Sequence, residues 1–458
     1  MNCLQKTTLQ SLALSYFSLS FYLYLCIMKH KTVALHTLGC KLNFSESSDI
    51  GRHLQAEGYK TVDFREIADI YVVNTCTVTD TAEKKCRQAI RQAVSRNPRA
   101  IVAVIGCFSE VKRDVIAAMD GVHIVLGNEE KFRLPQYLKE FEVSNHPAIA
   151  EHDINQESAF HPAYSSGDRT RSFFKIQDGC DYFCTYCNVP SARGRSRSGT
   201  IAETLKTASE IDASGMKEMI LTGVNTGDFG RKNNEKFIEL LVELEKLEHI
   251  KRIRISSIEP ELLTDEIIDL VAGSPVFLPH FHLPLQSGSD MILKQMNRKY
   301  DTSLFREKVR KIKERIPHCC IAIDLITGFP GETGEFFEET LKFIETIDVS
   351  YMHIFPYSVR PGTQAARMPL QVNFATCKHR SAVLHELSER KKTSFYRQHE
   401  GTIRKVLFES EKHGAFMFGF TDNYIRVKTT YDKSLINEIV EVLLLKTDVD
   451  GICNIRLL

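Results

Sequence analysis

The stretch F-F-K-I-Q-D-G-C-D-Y-F-C-T-Y-C-N-V-P runs from Phe173 to Pro190. It places Cys180, Cys184 and Cys187 within eight positions, directly after a short apolar run that is typical of a buried strand. An iron–sulfur cubane normally takes four cysteines, so three thiolates leave one iron open to another ligand. A structural zinc site is the alternative reading, but zinc needs a fourth ligand, and the next histidine downstream is His249. The stretch therefore indicates an open cluster at the end of a strand.

Three further cysteines also end short apolar runs. Cys40 ends T-V-A-L-H-T-L-G-C, Cys76 ends I-Y-V-V-N-T-C, and Cys107 ends A-I-V-A-V-I-G-C. Such runs predict buried parallel strands, and the carboxyl ends of parallel strands meet at one edge of a sheet. A single buried cysteine is commonly just a packed side chain. Three of them at equivalent strand ends predict a second cluster, again with one open iron.

The residues around both cysteine sets form longer motifs. These are C-x3-C-x2-C with interleaved aromatics at 180–187, L-G-C-K-L-N at 38–43, N-T-C-T-V-T at 74–79 and P-S-A-R-G-R-S-R-S at 190–198. The first motif resembles the radical S-adenosylmethionine (SAM) superfamily, and the others resemble its methylthiotransferases. Lys41, Leu42 and Thr77 favour the branch that acts on threonylcarbamoyladenosine in tRNA. The match extends over nearly the whole chain from about Met28.

The resemblance implies a transferase with two [4Fe-4S] clusters and SAM as cofactors. It implies that radical chemistry started from SAM replaces the C2 hydrogen of threonylcarbamoyladenosine, next to the tRNA anticodon, by a methylthio group. No catalytic residue beyond the cluster ligands is predicted. The alternatives within the family are isopentenyladenosine tRNA or a ribosomal protein as substrate. The alternative of another class is a zinc-stabilised RNA-binding protein without catalysis.

Several predicted strand ends carry residues suited to SAM. In the family, the loop that corresponds to L-T-G-V-N at 221–225 contacts the SAM amino group, and S-S-I-E-P at 256–260 could face the ribose. L-P-L-Q-S-G-S-D and the D-L-I-T-G-F-P-G-E stretch at 324–332 would complete the rim. Polar residues and glycines at such places also serve as ordinary turns and helix caps. The candidate SAM-binding residues are Gly223, Asn225, Ser257, Glu259 and Gln286.

Three arginines alternate directly after the first cysteine set: Arg193, Arg195 and Arg197. Beside an open cluster, guanidinium groups are suited to hold RNA phosphates or the carboxylate of a modified base. Lys391 and Lys392 could extend the basic track. A solvated charged loop is the alternative interpretation.

The pattern of strands and helices predicts an α/β protein with three domains. Residues 29–150 are expected to form an open parallel-sheet domain, and residues 166–395 a partial (β/α)6 barrel of the radical SAM kind. Residues 398–458 carry short alternating strands that predict a small antiparallel β-barrel, similar to the RNA-binding TRAM domain. Its aromatics at 416, 418, 420 and 424 could stack on bases, although a period of two favours core packing.

Composition fits an intracellular enzyme. The net charge of +1 gives no overall basic field, so RNA must bind to local patches. The 13 cysteines in 458 residues do not form a disulfide framework, and oxygen-sensitive clusters require a reducing compartment, which predicts a cytoplasmic location. The expected partners are the tRNA anticodon stem-loop and an electron donor protein.

The first 28 residues contain an apolar run after a single lysine, Lys6, and no small-residue cleavage site follows it. We interpret this segment as dispensable or as the product of a misassigned start, and we expect no stable membrane association.

Overall fold

The computed structural model describes residues 31–150, 154, 159–167 and 170–458. The expectation for residues 1–28 therefore lies outside the described residues. Within these ranges, no helix combines the length and the apolar character that a membrane span requires.

The N-terminal domain is an α/β unit whose described strands are all parallel. Its strands pair in the order β2-β1-β3-β4-β5-β6, with ranges and helices given at the end of this paragraph. All six residues of β3 are buried, because helices cover both faces of the sheet. The order makes β1, β3 and β4 neighbours, so their carboxyl ends lie side by side. The elements are β1 (Thr32–Thr37), α1 (Lys41–Ala56), β2 (Lys60–Val62), β3 (Ile70–Thr75), α2 (Asp80–Arg96), β4 (Ile101–Gly106), α3 (Cys107–Val111), α4 (Arg113–Ala117), β5 (Ile124–Leu126), α5 (Leu134–Ser144) and β6 (Ala148–Ile149).

The central domain is an arc of parallel strands, which confirms the predicted partial barrel. Its elements are β7 (Ala163–Tyr164), β8 (Arg171–Lys175), α6 (Val189–Arg193), α7 (Ile201–Ala213), β9 (Glu218–Thr222), α8 (Phe237–Leu244), β10 (Arg252–Ile255), α9 (Asp265–Gly273), β11 (His280–Gln286), α10 (Asp290–Gln295), α11 (Thr302–Arg315), β12 (Cys320–Thr327), α12 (Gly334–Thr346), β13 (Tyr351–Pro356) and α13 (Phe374–Arg397). Strands β8, β9 and β10 pair in parallel, as do β11, β12 and β13. Single parallel bridges, Ile253 to Phe277 and Ser257 to His282, join the two groups.

The apolar runs of the sequence supply the core of this arc. Leu221, Ile253, Phe281 and Ile323 are fully buried between the sheet and the surrounding helices. The two-residue strand β7 pairs antiparallel with β8 at the edge, and it is too short to leave a periodic signal in the sequence.

The C-terminal domain is a small closed barrel. Its strands, β14 (Ile403–His413), β15 (Phe416–Thr421), β16 (Arg426–Thr430), β17 (Ile439–Thr447) and β18 (Cys453–Leu457), pair in the ring β14-β15-β16-β18-β17. One pair departs from the antiparallel prediction, because β16 and β18 run in the same direction.

The aromatic residues of β15 do not form the barrel core, so the core prediction is wrong for Phe416, Phe418 and Phe420. Met417 is fully buried, whereas Phe416 is exposed and its two aromatic neighbours are half-buried. Successive side chains of a strand point to opposite faces, so the aromatics lie on the outer face of the barrel. Tyr424, by contrast, packs against the core.

The C-terminal barrel packs at the amino-terminal ends of the central strands. Arg171 at the start of β8 pairs with Glu409 at 2.7 Å, and Arg252 at the start of β10 donates to the Thr421 carbonyl at 2.8 Å. The carboxyl ends of the same strands, where ligands bind in such barrels, are left to face the N-terminal domain.

Candidate active site between two cysteine triads

The strand-end triad consists of Cys40, Cys76 and Cys107. Cys40 lies between β1 and α1, Cys76 directly follows β3, and Cys107 is the first residue of α3 after β4. Gly39 has a φ of 109°, and a Cβ on it would lie 2.8 Å from the Cβ of Cys76. The backbone before Cys40 therefore lies against Cys76, and the predicted convergence of these strand ends is present.

The loop triad consists of Cys180, Cys184 and Cys187, in the loop between β8 and α6. Thr185 anchors this loop: its N–H donates to the Met296 carbonyl at 3.1 Å, and its Oγ1 donates to the Gln295 carbonyl at 2.9 Å. The end of helix α10 thus holds the middle of the loop in place.

Burial raises the pKa values of the thiols of Cys40, Cys76, Cys180, Cys184 and Cys187. Burial raises the pKa of Cys76 to about 12, and Cys107 and Cys40 raise it further because a second thiolate nearby is unfavourable. Burial raises the pKa of Cys187 to about 12 as well, with Cys184 acting in the same direction. The thiols therefore keep their protons until a cation replaces them, as in metal sites generally.

Neither triad has the sulfur spacing of a bound zinc ion. In the part of the chain that the structure describes, neither triad brings its three sulfurs within 4.8 Å of one another. Zinc bound tetrahedrally at about 2.3 Å from each sulfur would require sulfurs about 3.8 Å apart.

Helix α6, which follows Cys187, connects the two triads. Asn188 Nδ2 donates to the Thr77 carbonyl at 3.4 Å, next to Cys76. Asn128 Nδ2 donates to the Ala192 carbonyl at 2.6 Å and lies 3.4 Å from the sulfur of Cys107. A shift of this single helical turn would therefore be felt in both triads.

A buried network of charges reinforces the same junction. Glu46 on α1 pairs with Lys131 at 2.6 Å, with Lys175 on β8 at 2.9 Å and with Arg193 on α6 at 3.0 Å. Burial alone would raise the pKa of Glu46, but Arg193, Lys131 and Lys175 outweigh it and hold the pKa well below its usual range. Asp178 receives Arg193 at 2.9 Å, so this second carboxylate also belongs to the network.

The three predicted arginines differ in their exposure to solvent. The side chains of Arg193 and Arg197 are 3% exposed and paired with buried carboxylates, so the solvated-loop interpretation is wrong for them. Arg195 is 51% exposed, lies 3.5 Å from Asp181 and covers the ring of Phe183 at 4.4 Å. Substrate binding by these residues stays a prediction, with Arg195 the member that solvent reaches.

A cavity of about 720 Å³ lies between the N-terminal domain and the central barrel. All three cysteines of the strand-end triad line it, and Ser256, Ser257, His282, Asp324 and His353 line it from the barrel. A neighbouring cavity of about 200 Å³ is lined by Cys187, Tyr186 and Gln286. The two cavities share Val78, Asn188, Val189, Asp324 and Phe355 as walls, so they adjoin one another. The strand-end triad lines the larger cavity, and Cys187 of the loop triad lines the smaller one.

Two of the predicted SAM residues, Gly223 and Asn225, directly follow β9. Gly223 lines the larger cavity, and a Cβ on it would lie 2.8 Å from Gln177 Oε1, so packing against Gln177 already requires a glycine. Asn225 is buried, and its Oδ1 accepts from the Glu259 N–H at 3.3 Å. Its Nδ2 has no hydrogen-bond partner among the described residues, and neither does Thr222 Oγ1. Such orphaned buried groups fit a site completed by a polar ligand.

Gln286 has a strained backbone. Its φ is 65°, which is uncommon for a residue other than glycine, and it lies where the register between β11 and β12 shifts. Strain of this kind persists where the surroundings impose it, and it clusters in functional sites. The observation supports the choice of Gln286 as a candidate ligand-binding residue.

Arg298 was missed by the sequence reasoning, because M-N-R-K-Y carries no motif that singles it out. Its Nη1 lies 3.1 Å from the sulfur of Cys184, and its Nη2 pairs with the carboxylate of Glu259. Burial raises the pKa of Glu259 to about 7, against the opposite effect of Arg298. The predicted residue Glu259 therefore positions a cation against the loop triad, whereas Ser257 lines the cavity beside it.

Asp324, which begins one of the stretches predicted to form the rim, belongs to a polar cluster inside the barrel whose two histidines were missed. His282 Nε2 and Asp324 Oδ1 are 2.8 Å apart, and the rings of His282 and His353 are 5.3 Å apart. Single polar residues within the apolar runs F-H-L-P-L, I-A-I-D-L and Y-M-H-I-F were the signal that could have found them. Asp324 and His353 are direct partners in the ladder between β12 and β13.

Lys41 reaches the same space from the N-terminal domain. Its Nζ lies 3.4 Å from Ser256 Oγ, and the residue lines the larger cavity. Burial lowers the pKa of Lys41 to about 8, and the positive charges of Arg254 and Arg171 act in the same direction. The sequence singled out Lys41 as a family marker but gave no reason for its presence.

Two segments of the chain match known families. Residues 32–127 match the uncharacterized protein family UPF0004, and residues 174–344 match the radical SAM superfamily. The solved structure of a radical S-adenosylmethionine methyltransferase from Kitasatospora setae, with cobalamin and a [4Fe-4S] cluster bound, is similar with a TM-score of 0.53. It covers 73% of this chain and 77% of that chain at 16% sequence identity, so the likeness concerns the fold.

Relatives with curated names align over most of the chain. The threonylcarbamoyladenosine tRNA methylthiotransferase of Bacillus subtilis is 40% identical over 426 residues, which cover 91% of this chain and 94% of the relative. The protein of that name from Aquifex aeolicus is 36% identical and covers 90% of this chain and 100% of the relative. The tRNA-2-methylthio-N(6)-dimethylallyladenosine synthase of Clostridium tetani is 34% identical, with coverage of 91% and 94%.

Proposed function

The chain belongs to the radical SAM methylthiotransferase family, and we propose that it transfers a methylthio group to C2 of threonylcarbamoyladenosine in tRNA. The observation that carries this proposal is the pair of adjoining cavities between the strand-end triad and Cys187 of the loop triad. The larger cavity, about 720 Å³, is in the size range of cavities that hold a small ligand. A base placed there would lie between a site for radical generation and a site for sulfur.

The loop triad would hold one [4Fe-4S] cluster with SAM at its open iron, and the strand-end triad would hold the second. When bound, these groups supply one-electron cleavage of SAM and the sulfur that is transferred. The residues of the chain do the rest: Thr185 fixes the loop, Arg298 places a positive charge against Cys184, and helix α6 sets the distance between the triads.

For SAM itself, the candidate residues are those at the carboxyl ends of β9 to β11. The unpartnered Nδ2 of Asn225 and Oγ1 of Thr222 offer a buried donor and a hydroxyl. From the next strands, Ser257 lines the larger cavity and Gln286 lines the smaller one, with the backbone of Gln286 already held in an unusual conformation. Rigid donors placed in advance bind a ligand with little loss of conformational entropy.

The tRNA would contact the protein on two sides. Helix α2 begins four residues after Cys76 and exposes Lys84, Lys85 and Arg91, which suits contacts to phosphates near the target base. The outer face of the C-terminal barrel presents Phe416 and Phe418, with Lys428 5.6 Å from the first ring and Arg426 4.6 Å from the second. That barrel lies at the opposite end of the central strands from the cavity, so we expect it to hold the body of the tRNA rather than the target base.

The target would be the adenosine 3′ of the anticodon, in the anticodon stem-loop. The reaction needs reducing equivalents, so we expect an electron donor protein as a second partner. Because the clusters are sensitive to oxygen, we expect the reaction to take place in the cytoplasm.

The test is to offer the anaerobically reconstituted protein three substrates: tRNA with threonylcarbamoyladenosine, tRNA with isopentenyladenosine, and a ribosomal protein. We expect the methylthio product, detected by mass spectrometry of nucleosides, from the threonylcarbamoyl form only. Product from the isopentenyl form or from the ribosomal protein alone would refute the substrate while keeping the two-cluster chemistry. A colourless protein that contains zinc and binds RNA without turnover would refute the enzyme as a whole.

A further inference from the structure

Lys41 lines the larger of the two adjoining cavities. Its Nζ has Ser256 Oγ as a hydrogen-bond partner at 3.4 Å, and no carboxylate of the described residues lies within 4.0 Å of it. A half-buried ammonium without a carboxylate partner is costly, because part of its hydration is lost and one long hydrogen bond to a hydroxyl replaces little of it. The position is therefore suited to an anion that arrives with the substrate.

The walls around Lys41 carry one carboxylate, besides the three thiols that the proposed function assigns to a cluster. That carboxylate belongs to Asp324, which already pairs with His282 at 2.8 Å. Arg193 is the other arginine or lysine of the lining, and it is occupied by Glu46 and Asp178. Lys41 is thus the lining cation left to bind a ligand.

Opposite Lys41, the barrel offers groups for a polar, uncharged neighbour of that anion. The ligand atoms of His282, Asp324 and His353 lie within 4.8 Å of one another. Imidazole nitrogens and a carboxylate can accept N–H groups, and a neutral imidazole can also donate to an oxygen. A threonine joined to a base through a carbamoyl group carries this combination: a carboxylate at one end, with two ureido N–H groups and a hydroxyl beside it.

We propose that Lys41 binds the threonyl carboxylate of the substrate base, while the cluster of His282, Asp324 and His353 binds its ureido and hydroxyl groups. The proposal rests on the proposed function and assigns the choice of substrate to the residue that follows Cys40. An isopentenyl group has no anion to offer and would leave Lys41 unpaired, which disfavours it.

Two other uses of these groups are less compatible with the charges. A divalent cation on His282, Asp324 and His353 would lie in the field of Lys41, which repels it. Arg193, the residue that the sequence suggested for the carboxylate, would have to leave two buried partners to bind it.

The experiment combines a protein variant with a substrate variant. The probes are anticodon stem-loops with threonylcarbamoyladenosine and with its analogue in which a carboxamide replaces the carboxylate. The proteins are the wild type, Lys41→Met, Lys41→Arg and, as a matched control, Lys60→Met, an exposed lysine of β2. The readouts are kcat/KM for methylthiolation, binding of each stem-loop by fluorescence anisotropy, reductive SAM cleavage and iron content.

We expect the wild type and Lys60→Met to prefer the carboxylate by about 10- to 100-fold in kcat/KM, as for hydrogen bonds between charged groups. Lys41→Met should lose this preference by losing activity on the carboxylate form only, and Lys41→Arg should keep most of it. Iron content and SAM cleavage should stay at the wild-type level.

Three results would overturn the proposal. Equal activity of the wild type on both stem-loops would show that no cation reads the carboxylate, and this result needs no variant. A second result concerns the cofactors. If Lys41→Met loses SAM cleavage or iron, and both Lys41→Met and Lys41→Arg still prefer the carboxylate stem-loop, then Lys41 acts on the cofactors and not on the substrate. Inactivity of the wild type on both stem-loops, with turnover of the isopentenyl form, would refute the proposed function itself and this assignment with it.

Discussion

The two triads offer the same three thiols but are built in different ways. The loop triad is local: Cys180, Cys184 and Cys187 share one loop, and helix α10 holds that loop through Thr185. The strand-end triad exists only after β1, β3 and β4 have paired, and it also depends on helix α6 of the other domain. The loop triad is therefore determined by the spacing of its cysteines in the sequence, and the strand-end triad by the topology of a sheet. Damage to the fold should affect the second before the first.

The first and largest effect that this comparison predicts is at the loop triad. Replacing Cys184 by Ala should reduce reductive SAM cleavage to background and remove about four irons per chain, because two thiolates do not hold an open cubane. The product 5′-deoxyadenosine, measured under anaerobic reduction, provides the check. Cys319→Ala is the matched control, since Cys319 is fully buried away from both triads and should change neither readout. Wild-type cleavage by the Cys184 variant would mean that the loop triad does not bind the cluster that cleaves SAM.

At the strand-end triad, the expected effect is confined to the product. Cys76→Ala should abolish methylthiolation while SAM cleavage remains at no less than about a tenth of the wild-type rate, because the loop triad is held by its own contacts. The ratio of 5′-deoxyadenosine to methylthiolated nucleoside measures the separation. If product formation survives, the second cluster does not depend on Cys76. If SAM cleavage disappears as well, the two triads are not independent and the comparison fails.

The third prediction tests the junction between the triads. Glu46→Gln would leave Lys131, Lys175 and Arg193 buried with one carboxylate fewer, and breaking a buried ion pair from one side costs about 3–5 kcal/mol of unfolding free energy. Chemical denaturation of the apo protein measures it. Because Glu46 belongs to the strand-end side, iron bound there should be lost before iron bound by the loop triad.

Glu57→Gln is the control for that experiment. The carboxylate of Glu57 is 44% exposed and pairs with Lys139, which is 57% exposed, so its loss should cost no more than about 1 kcal/mol. Similar losses from the two variants would show that the buried network does not hold the domains together.

The difference between the triads also explains what could be read from the sequence. The loop triad and the positions of the strands along the chain followed directly from spacing and apolar runs, because both are local properties. The strand-end triad required one further step, the rule that parallel strands present their carboxyl ends together, and the order β1-β3-β4 fulfils it.

What escaped the sequence is set by contacts between segments that lie far apart. Arg193 looked like an exposed substrate ligand, yet Glu46, which is 147 positions away, neutralises it inside the protein. Arg298 contacts Cys184 although the two residues are 114 positions apart, and no local sequence pattern predicts this contact. The outward aromatics of β15 were misread because a period of two fixes which residues share a face but not which face is the core.

The smallest effect concerns Cys86, which tests whether a cysteine beside the strand-end triad is itself a ligand. Cys86 is fully buried on α2. Its sulfur accepts from the Cys76 N–H at 3.4 Å and donates to the Cys76 carbonyl at 3.5 Å. Cys86 therefore supports the backbone of Cys76 through its sulfur, and we predict that it is not a cluster ligand. Serine can keep both hydrogen bonds, so Cys86→Ser should retain all of the iron and near wild-type activity, at a cost of about 1–2 kcal/mol for the buried hydroxyl. Cys86→Ala removes the acceptor for the Cys76 N–H and should cost as much or more, again with full iron after reconstitution. Iron analysis of the two Cys86 variants, beside Cys76→Ala, tests this prediction. Loss of half the iron from Cys86→Ser would show that Cys86 on helix α2 is a cluster ligand.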